Sequence, residues 1–373
     1  MEEEMIRKFL VFLFAIVILS GCVKKGEDVI KIGIAGPMTG DQAKMGMDFR
    51  NGVTLAVEEW NRKGGVSGRK IELIIGDDQR DPKQAVSVAN KLVTQGVKGV
   101  IGHFNSSCSI PASDVYDRAG IPMITPASTN PQLTEKGHYG VFRVCGRDDQ
   151  QGKVAADFVT RELKIKKLAV IHDKTTYGQG LADEFNKFLG GKAEVVYYGG
   201  IVQGDKDFKT VLISIREKAP ELIYFGGIYP EGGLMVKQAR EIGMTVPFMS
   251  GDGVIDPKFV EIAGAEAAEG TYLTFSPDPN TIPTAKEFIV QYTKRFGELG
   301  PYSAYAYDAA NIMLKAIEAA GVTEGKAVMD KLHSMEFAGT LGNIKFDSKG
   351  DITVAPYVVW ITKGGKFTEY WKP

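Results

Sequence analysis

Short apolar runs rich in β-branched residues alternate with amphipathic stretches along most of the chain. The first half carries such runs at 29–35, 71–75, 99–102 and 121–124. Each run is short enough to be a buried strand of a parallel sheet. The segments between them place apolar residues at helical spacing, and Asp81-Pro82 is typical of a helix N-cap followed by proline at N1. Four such alternations predict an α/β domain with a doubly wound, mostly parallel sheet.

The alternation restarts at residue 167. Further strands are predicted at 167–171, 193–198, 222–225, 247–250 and 271–275. The length of 373 residues also favours two domains. The remainder begins with predicted helices and ends with predicted strands, at 285–296, 302–320, 343–346 and 356–362. We expect this part to return and complete the two earlier sheets, which would create a hinge beside a ligand cleft.

Hydroxyl-bearing turns follow two neighbouring strands of the first predicted sheet. Ser106 and Ser107 follow the run at 99–102, and Thr129 follows the run at 121–124. Because ligands of open α/β sheets bind outside the carboxyl ends of the strands, these side chains should share one rim. Backbone N–H groups at a helix start favour an anion, and the hydroxyls add donors. The alternative is that these residues are ordinary helix N-caps.

The N-terminus has the layout of a signal peptide. Arg7-Lys8 precede an apolar run at 9–19 that is short for a membrane span, although an uncleaved anchor is the alternative. The sequence Leu19-Ser-Gly-Cys22 resembles the bacterial lipobox, in which the cysteine carries the lipid. We therefore predict a signal peptide over 1–21, lipid attachment at Cys22, and a tether over 22–28. The domain would then lie in the periplasm or at the extracellular face of a membrane.

Composition and motifs argue against several other functions. Lys and Arg total 45 against 46 Asp and Glu, so we expect no nucleic-acid partner. His103 and His172 lack a second ligand at metal-binding spacing, and no nucleophile elbow or P-loop occurs, so we expect no metal, cofactor or enzymatic activity. Asp77-Asp78 should lie in a solvated turn. Cys108 and Cys145 could pair in an exported protein or simply be buried.

A set of short blocks carries a family resemblance across both halves of the chain. The blocks are Gly76–Gln84, Val100–His103, Pro111–Tyr116, Met123–Ala127, Ile171–Lys174, Tyr177–Ala182, and Gly226-Gly227 with Pro230-Glu231. In this order they resemble the periplasmic leucine/isoleucine/valine-binding proteins of ABC transporters. The resemblance implies the type I periplasmic binding protein fold, with two doubly wound parallel-sheet lobes joined by a three-strand hinge. The expected lobes are 29–147 with 277–350, and 148–276 with 351–373.

The resemblance also implies which residues hold the α-carbon end of a ligand. A serine and a threonine at the positions of Ser106 and Thr129 bind the carboxylate and the amino group. Backbone groups at Phe104 and Ala127 contribute further contacts, and the Phe104 ring would help to wall the side-chain pocket. Tyr177 matches a tyrosine of the second lobe that covers the ligand on closure.

Other matched positions depart from the family reference. Asp252 stands where the reference has a glutamate that accepts the ligand ammonium. Met45 and Ile228 replace tyrosines near the side-chain pocket. Asn105 and Arg80 replace a disulfide pair, so that bridge is absent here. These departures affect the side-chain pocket and leave the groups that recognise an α-amino acid.

The sequence and the resemblance together predict an extracytoplasmic substrate-binding protein. It would capture an aliphatic, branched-chain-type amino acid between its lobes and deliver it to an ABC permease. The alternative is a sensor or binding protein for amides, aromatic acids or other small carboxylates, without transport. A hydrolase or dehydrogenase would require catalytic motifs that the sequence lacks.

Overall fold

The structure is a computed structural model that describes residues 29–373. The predicted signal peptide, Cys22 and the tether lie outside the described residues. Among residues 29–373, no helix combines the length and the apolar character needed to cross a membrane.

Five parallel strands form the first sheet, in the order β2-β1-β3-β4-β5. These strands are β1 (Ile30–Gly36), β2 (Ile71–Asp77), β3 (Gly99–Gly102), β4 (Met123–Thr125) and β5 (Val141–Arg143). The helices between them are α1 (Ala43–Arg62), α2 (Pro82–Thr94), α3 (Ser106–Arg118) and α4 (Gln132–Glu135). Asp81 caps α2 as predicted, because its carboxylate accepts hydrogen bonds from the Lys83 and Gln84 amides. The parallel order places the carboxyl ends of β3 and β4 side by side.

Seven strands form the second sheet, in the order β14-β13-β10-β9-β8-β6-β7. They are β6 (Lys167–His172), β7 (Glu194–Gly200), β8 (Leu222–Gly226), β9 (Phe248–Ser250), β10 (Tyr272–Phe275), β13 (Val358–Lys363) and β14 (Lys366–Trp371). The strands from β6 to β10 are parallel, whereas β13 and β14 are antiparallel to their neighbours. The accompanying helices are α5 (Asp148–Asp157), α6 (Thr176–Leu189), α7 (Lys209–Glu217), α8 (Tyr229–Glu241), α9 (Pro257–Ala263) and α10 (Ala265–Ala268).

The last part of the chain returns to the first lobe before it completes the second. It contains α11 (Lys286–Phe296), α12 (Ser303–Ala320) and α13 (Gly325–Ser334), and α12 packs along α1. Gly52 permits this approach, because a Cβ atom there would lie 2.3 Å from the Ser303 carbonyl oxygen. We expected the strand at 343–346 to complete one of the two sheets, and this prediction is wrong. Instead β12 (Gly342–Lys345) pairs only with β11 (Glu336–Gly339) in a separate hairpin.

Three connecting segments join the lobes, at 144–147, 276–285 and 346–357. The first and third are tied together, because Arg147 Nη1 donates to Asp351 Oδ2 at 2.7 Å. The chain therefore forms the two-lobed α/β architecture predicted from its sequence. The exact lobe boundaries stay a prediction.

Candidate functional site

The turn between β3 and α3 is joined to the loop after β4. Ser106 is the first residue of α3, and its Oγ accepts a hydrogen bond from the Asn130 amide at 3.2 Å. The residue at the N-cap position is Asn105, whose side chain makes no capping hydrogen bond. The interpretation of Ser106 as an N-cap is therefore wrong, because its hydroxyl connects the two loops instead.

Thr129 and Asp148 place unpaired polar atoms in the protein interior. Thr129 is completely buried, and its Oγ1 makes no well-aligned hydrogen bond among residues 29–373, although it faces the Asp148 carboxyl and favours its ionised form. The Asp148 amide donates to the Thr129 carbonyl oxygen at 2.9 Å, which fixes the two residues next to each other. Within the same described range, Asp148 Oδ2 is also without a partner. Burial, together with the nearby charge of Asp252, raises the pKa of Asp148 well above its ordinary value.

Asp252 follows β9 and receives hydrogen bonds from three side chains. Its Oδ1 accepts from the Tyr177 hydroxyl at 2.8 Å and from Gln151 Nε2 at 3.1 Å, and its Oδ2 accepts from the Tyr302 hydroxyl at 2.9 Å. Burial raises the pKa of Asp252, and these hydrogen bonds oppose that rise. Tyr302 precedes α12, which packs on the first lobe, so the carboxylate is held from both sides of the cleft.

Gln151 connects the two buried carboxylates. Its Nε2 lies 3.3 Å from Asp148 Oδ1 and 3.1 Å from Asp252 Oδ1, while its Oε1 accepts from the Asp252 amide at 2.8 Å. The predicted residues Thr129, Tyr177 and Asp252 are thus linked through Asp148 and Gln151. A pair of acidic groups at this point is suited to a cationic ligand group, because a buried cation requires anionic partners.

The predicted pocket-wall residues are buried but belong to two apolar clusters. The Phe104 ring lies edge-on to Tyr302, with centroids 4.9 Å apart, and shares its cluster with Met45. Ile228 lies in the other cluster, together with Tyr177. Asn105 Nδ2 donates to the Gln42 Oε1 atom at 2.9 Å, and Gln42 Nε2 approaches Met45 Sδ at 3.6 Å. Met45, Asn105 and Phe104 are therefore linked within the first lobe, and Ile228 lies with the second lobe.

Hydroxyl groups support the backbone of the two first-lobe turns. Thr125 Oγ1 accepts from the Ala127 amide at 3.3 Å and donates to the His103 carbonyl oxygen at 2.7 Å. Ser128 Oγ donates to the Phe104 carbonyl oxygen at 2.9 Å. Phe104 and Ala127, both expected to offer backbone groups to the ligand, are thereby held in a fixed relative position.

Asp78 differs from its expected place in a solvated turn. The residue is completely buried, and its Oδ2 lies 2.7 Å from His103 Nδ1. His103 Nε2 lies 3.0 Å from the Tyr116 hydroxyl, which is also completely buried. The expectation was wrong for Asp78 because this imidazole provides the partner that a buried carboxylate requires. Among residues 29–373, no cluster of His, Cys, Asp and Glu suited to a metal ion occurs, and Cys108 and Cys145 are buried free thiols.

Three residues of the site were not found from the sequence. Asp148, Gln151 and Tyr302 lie at or beyond the connecting segments, and no local motif marks them. Asp148 and Gln151 lie on the first two turns of α5, directly after the first connecting segment. The sequence signal available was this polar helix start directly after a connection between the two predicted domains.

Comparisons with known proteins agree with this architecture. Residues 29–366 match the family described as periplasmic binding protein. The chain is 44% identical over 372 residues to an amino acid binding protein of Pseudomonas aeruginosa, with 98% of each chain covered. It is 42% identical over 344 residues to Leu/Ile/Val-binding protein homolog 2 of Brucella abortus, covering 91% of this chain and 92% of that relative.

A solved structure shows the same fold with an amino acid bound. It is the branched-chain amino acid transporter substrate binding protein of Streptococcus pneumoniae, in complex with isoleucine. The two chains are 32% identical, the TM-score is 0.85, and the match covers 93% of this chain and 100% of that chain.

Proposed function

Because the chain belongs to the branched-chain amino-acid group of the periplasmic binding protein family, we propose that it captures an aliphatic, branched-chain-type amino acid between its lobes. It acts outside the cytoplasm and delivers the ligand to an ABC permease. The observation that carries this proposal is the placement of the buried Thr129 hydroxyl, which makes no well-aligned hydrogen bond among residues 29–373, next to the acidic group formed by Asp148 and Asp252. Such a site offers a donor and a negative charge to the two ends of a zwitterion.

The α-carboxylate is assigned to the first lobe. Ser106 and Thr129 provide hydroxyl donors, and the start of α3 provides backbone N–H groups and the positive end of the helix dipole. A hydrogen bond from such donors to a charged carboxylate contributes about 1.5–3 kcal/mol. The supporting hydroxyls of Thr125 and Ser128 keep these donors in place before the ligand arrives.

The α-ammonium is assigned to Asp252, with Asp148 as a second acidic group. An ionised carboxylate can accept about four hydrogen bonds. Asp252 accepts three from the side chains of Tyr177, Gln151 and Tyr302, which leaves room for one from the ligand. The ammonium would also offset the burial that raises the pKa of both carboxyls.

The ligand side chain is assigned to the wall formed by Phe104, Met45 and Asn105, with Ile228 approaching from the second lobe. Burial of an aliphatic side chain against these residues contributes roughly 1.5–3 kcal/mol. Asn105 is the one polar member: its Nδ2 is bonded to Gln42, whereas its Oδ1 is buried without a partner among residues 29–373. The other three residues are apolar. This composition supports an aliphatic ligand over one with a charged side chain.

The partners of the protein in this proposal are an ABC permease and the membrane surface. The ligand-loaded, closed protein presents both lobes to the membrane subunits of the permease. Lipid attachment at Cys22, after removal of residues 1–21, would keep the protein at the membrane surface where the permease lies. The chain carries no catalytic role in this proposal, and the ligand is released unchanged.

The proposal is tested by a panel of ligands and one variant. Leucine, isoleucine and valine should raise the melting temperature of the purified protein by an amount that grows with RT ln(1 + [L]/Kd). Amides, benzoate and small dicarboxylates should give no shift. Asp252→Asn should remove the response, whereas Asp252→Glu, which keeps the charge, should retain part of it. A response to aromatic acids or amides without one to aliphatic amino acids would contradict the proposal.

A further inference from the structure

A buried ion pair joins the two lobes outside the residues assigned to the ligand. Arg80 lies in the loop after β2, and its Nη2 donates to Glu231 Oε1 in α8 of the second lobe at 3.1 Å. We infer that Arg80 and Glu231 are affinity-determining positioning residues, which hold the closed lobes together and slow ligand release without touching the ligand. This inference rests on the proposed function, because it deepens how the same site retains its ligand.

The guanidinium of Arg80 is received by one loop and one helix of the second lobe, since Gln203 follows β7 and Glu231 lies in α8. Gln203, with its amide in the orientation that satisfies its hydrogen bonds, accepts from Arg80 Nε at 2.6 Å and from Nη2 at 3.0 Å. Glu231 Oε1 also accepts from the Gly204 amide at 2.9 Å. The planar fork of arginine suits this arrangement of two acceptors, and a lysine could not reproduce it.

The loop that carries Arg80 adopts an unfavourable backbone conformation. Gln79 and Arg80 have φ values of 51° and 63°, in the left-handed region that side chains other than glycine seldom adopt. Asp77 Oδ1 accepts from the Gln79 amide at 3.1 Å, and Asp78 Oδ1 accepts from the Arg80 amide at 3.0 Å. These hydrogen bonds stabilise the conformation that directs Arg80 across the cleft, and such local strain is typical of functional loops.

The same loop is connected to the ligand-binding turn. Asp78 holds the Arg80 amide with Oδ1 and faces His103 with Oδ2. His103 directly precedes Phe104, and its carbonyl oxygen accepts from Thr125 Oγ1. The ion pair is therefore anchored on the buried residues that support the proposed ligand site.

Burial distinguishes this ion pair from the Lys206–Asp41 ion pair, which also crosses the cleft. The Arg80 and Glu231 side chains are 11% and 1% exposed, whereas Lys206 and Asp41, which pair at 3.0 Å, are 63% and 56% exposed. Exposed pairs contribute little, whereas loss of one partner from a buried pair leaves an uncompensated charge. When the lobes separate, both charges are hydrated instead. The pair therefore interacts only in the closed state, which is the differential contact that shifts such an equilibrium.

The test compares dissociation rates of the aliphatic amino acid that the wild-type protein binds best. Arg80→Ala and Glu231→Gln should each accelerate dissociation about tenfold or more, with a smaller change in the association rate, because truncation of a buried charge pair acts mainly on dissociation. Arg80→Lys should recover part of the loss. The ratio of the leucine and valine affinities should stay constant, since neither residue touches the ligand. Lys206→Ala is the matched control and should dissociate like the wild type.

Small-angle X-ray scattering of the ligand-free variants separates this inference from the proposed function. Arg80→Ala and Glu231→Gln should increase the radius of gyration of the ligand-free protein relative to Lys206→Ala, whatever ligand the protein takes. Wild-type dissociation rates and radii in both variants would overturn the inference. A changed ratio of leucine to valine affinity would also overturn it, because Arg80 would then contribute to the ligand pocket. A panel in which no aliphatic amino acid binds would reject the proposed function and leave the scattering test valid.

Discussion

Thr129 places a hydroxyl in the interior of the first lobe, where it faces the Asp148 carboxyl but makes no well-aligned hydrogen bond among the described residues. A buried hydroxyl without a hydrogen bond reduces stability by about 1–3 kcal/mol relative to a satisfied one. Its neighbour Asp148 also has one unpaired oxygen in the described structure. A ligand that supplies a carboxylate to one and an ammonium to the other would satisfy both groups at once.

Thr129→Val removes the hydroxyl group and so tests whether this group binds the ligand. The variant should bind the amino acid about 10- to 100-fold more weakly, because a hydrogen bond to a charged group contributes about 1.5–3 kcal/mol. The free energy of unfolding without ligand should change little, since valine has nearly the same shape and the Thr129 hydroxyl makes no well-aligned hydrogen bond among residues 29–373. Isothermal titration calorimetry and urea denaturation measure the two quantities.

The matched control is Thr271→Val. Thr271 immediately precedes β10, is completely buried, and also has an Oγ1 without a partner among residues 29–373. This substitution removes the same atom at the opposite end of a strand from the site, so ligand affinity should be unchanged. Equal losses of affinity in both variants would show that Thr129 acts through packing and not as a ligand contact.

Only some of the residues of the site could be identified from the sequence. The position of Ser106 and Thr129 on one rim follows from strand order alone, and the Asn130–Ser106 hydrogen bond confirms that the two turns meet. Asp252 and Tyr177 were identified through the family resemblance, since an aspartate between glycines has no distinctive local pattern. Their contact with a ligand stays a prediction. Tyr302 could not be found, because only the packing of α12 brings it to Asp252.

At the level of elements, α6 and β8 approach each other through two glycines. A Cβ atom on Gly226 would lie 2.0 Å from the Gly178 carbonyl oxygen, and one on Gly178 would lie 2.4 Å from the Gly226 carbonyl oxygen. This close approach sets the position of the first turn of α6. Tyr177 lies in that turn, so the glycines determine where its hydroxyl meets Asp252.

Gly226→Ala should therefore affect both stability and binding. The methyl group forces the backbone of α6 away from β8, and overpacking of this kind reduces the free energy of unfolding by about 1–3 kcal/mol. Ligand affinity should fall as well, because Tyr177 moves with the helix. Asn186→Ala changes an exposed position of the same helix and should alter neither quantity. A Gly226→Ala protein with wild-type melting temperature and affinity would contradict this account.

The strands β5 and β14 were not predicted, because neither has a clear apolar pattern in the sequence. β5 has only three residues, and one of them is Arg143, which is completely buried because its guanidinium donates to the carbonyl oxygens of Ser128 and Asn130. A charged residue obscures the apolar signal of a strand. β14 follows the Gly364-Gly365 turn as an edge strand with one face exposed, and its alternating pattern is short. Strands with long apolar runs, such as β1 and β6, were predicted within a residue or two.

At the scale of the whole molecule, the sequence predicted the alternation of strands and helices but not the sheet to which every strand belongs. The predicted alternation of strands and helices was confirmed, because its period depends on local burial. The pairing of β12 with β11 could not be predicted in the same way. An apolar strand pattern does not specify which sheet receives the strand, since that depends on contacts far apart in the chain.

Buried carboxyls distributed over both lobes determine how stability depends on pH. Burial raises the pKa of Asp173, Asp256 and Asp308 to about 6 from an ordinary value of 3.8. Exposed carboxyls paired with lysine behave in the opposite way, and the pKa of Asp330, bonded to Lys326, is lowered. The two groups therefore act in different ranges of pH.

The melting temperature should rise as the pH is lowered from 7.5 to about 5. Each buried aspartate has a folded pKa above its unfolded value, so the folded protein binds more protons between about 4 and 6, and stability is lost as the pH rises through that range. Below about 4, groups such as Asp330 lose their contribution because their folded pKa lies under the unfolded value. Asp308→Asn should reduce the rise between pH 7.5 and 5, whereas Asp330→Asn should leave the size of that rise unchanged and make the fall below about pH 4 less steep. A melting temperature that is constant or falls between pH 7.5 and 5 would show that these carboxyls remain ionised inside the folded protein.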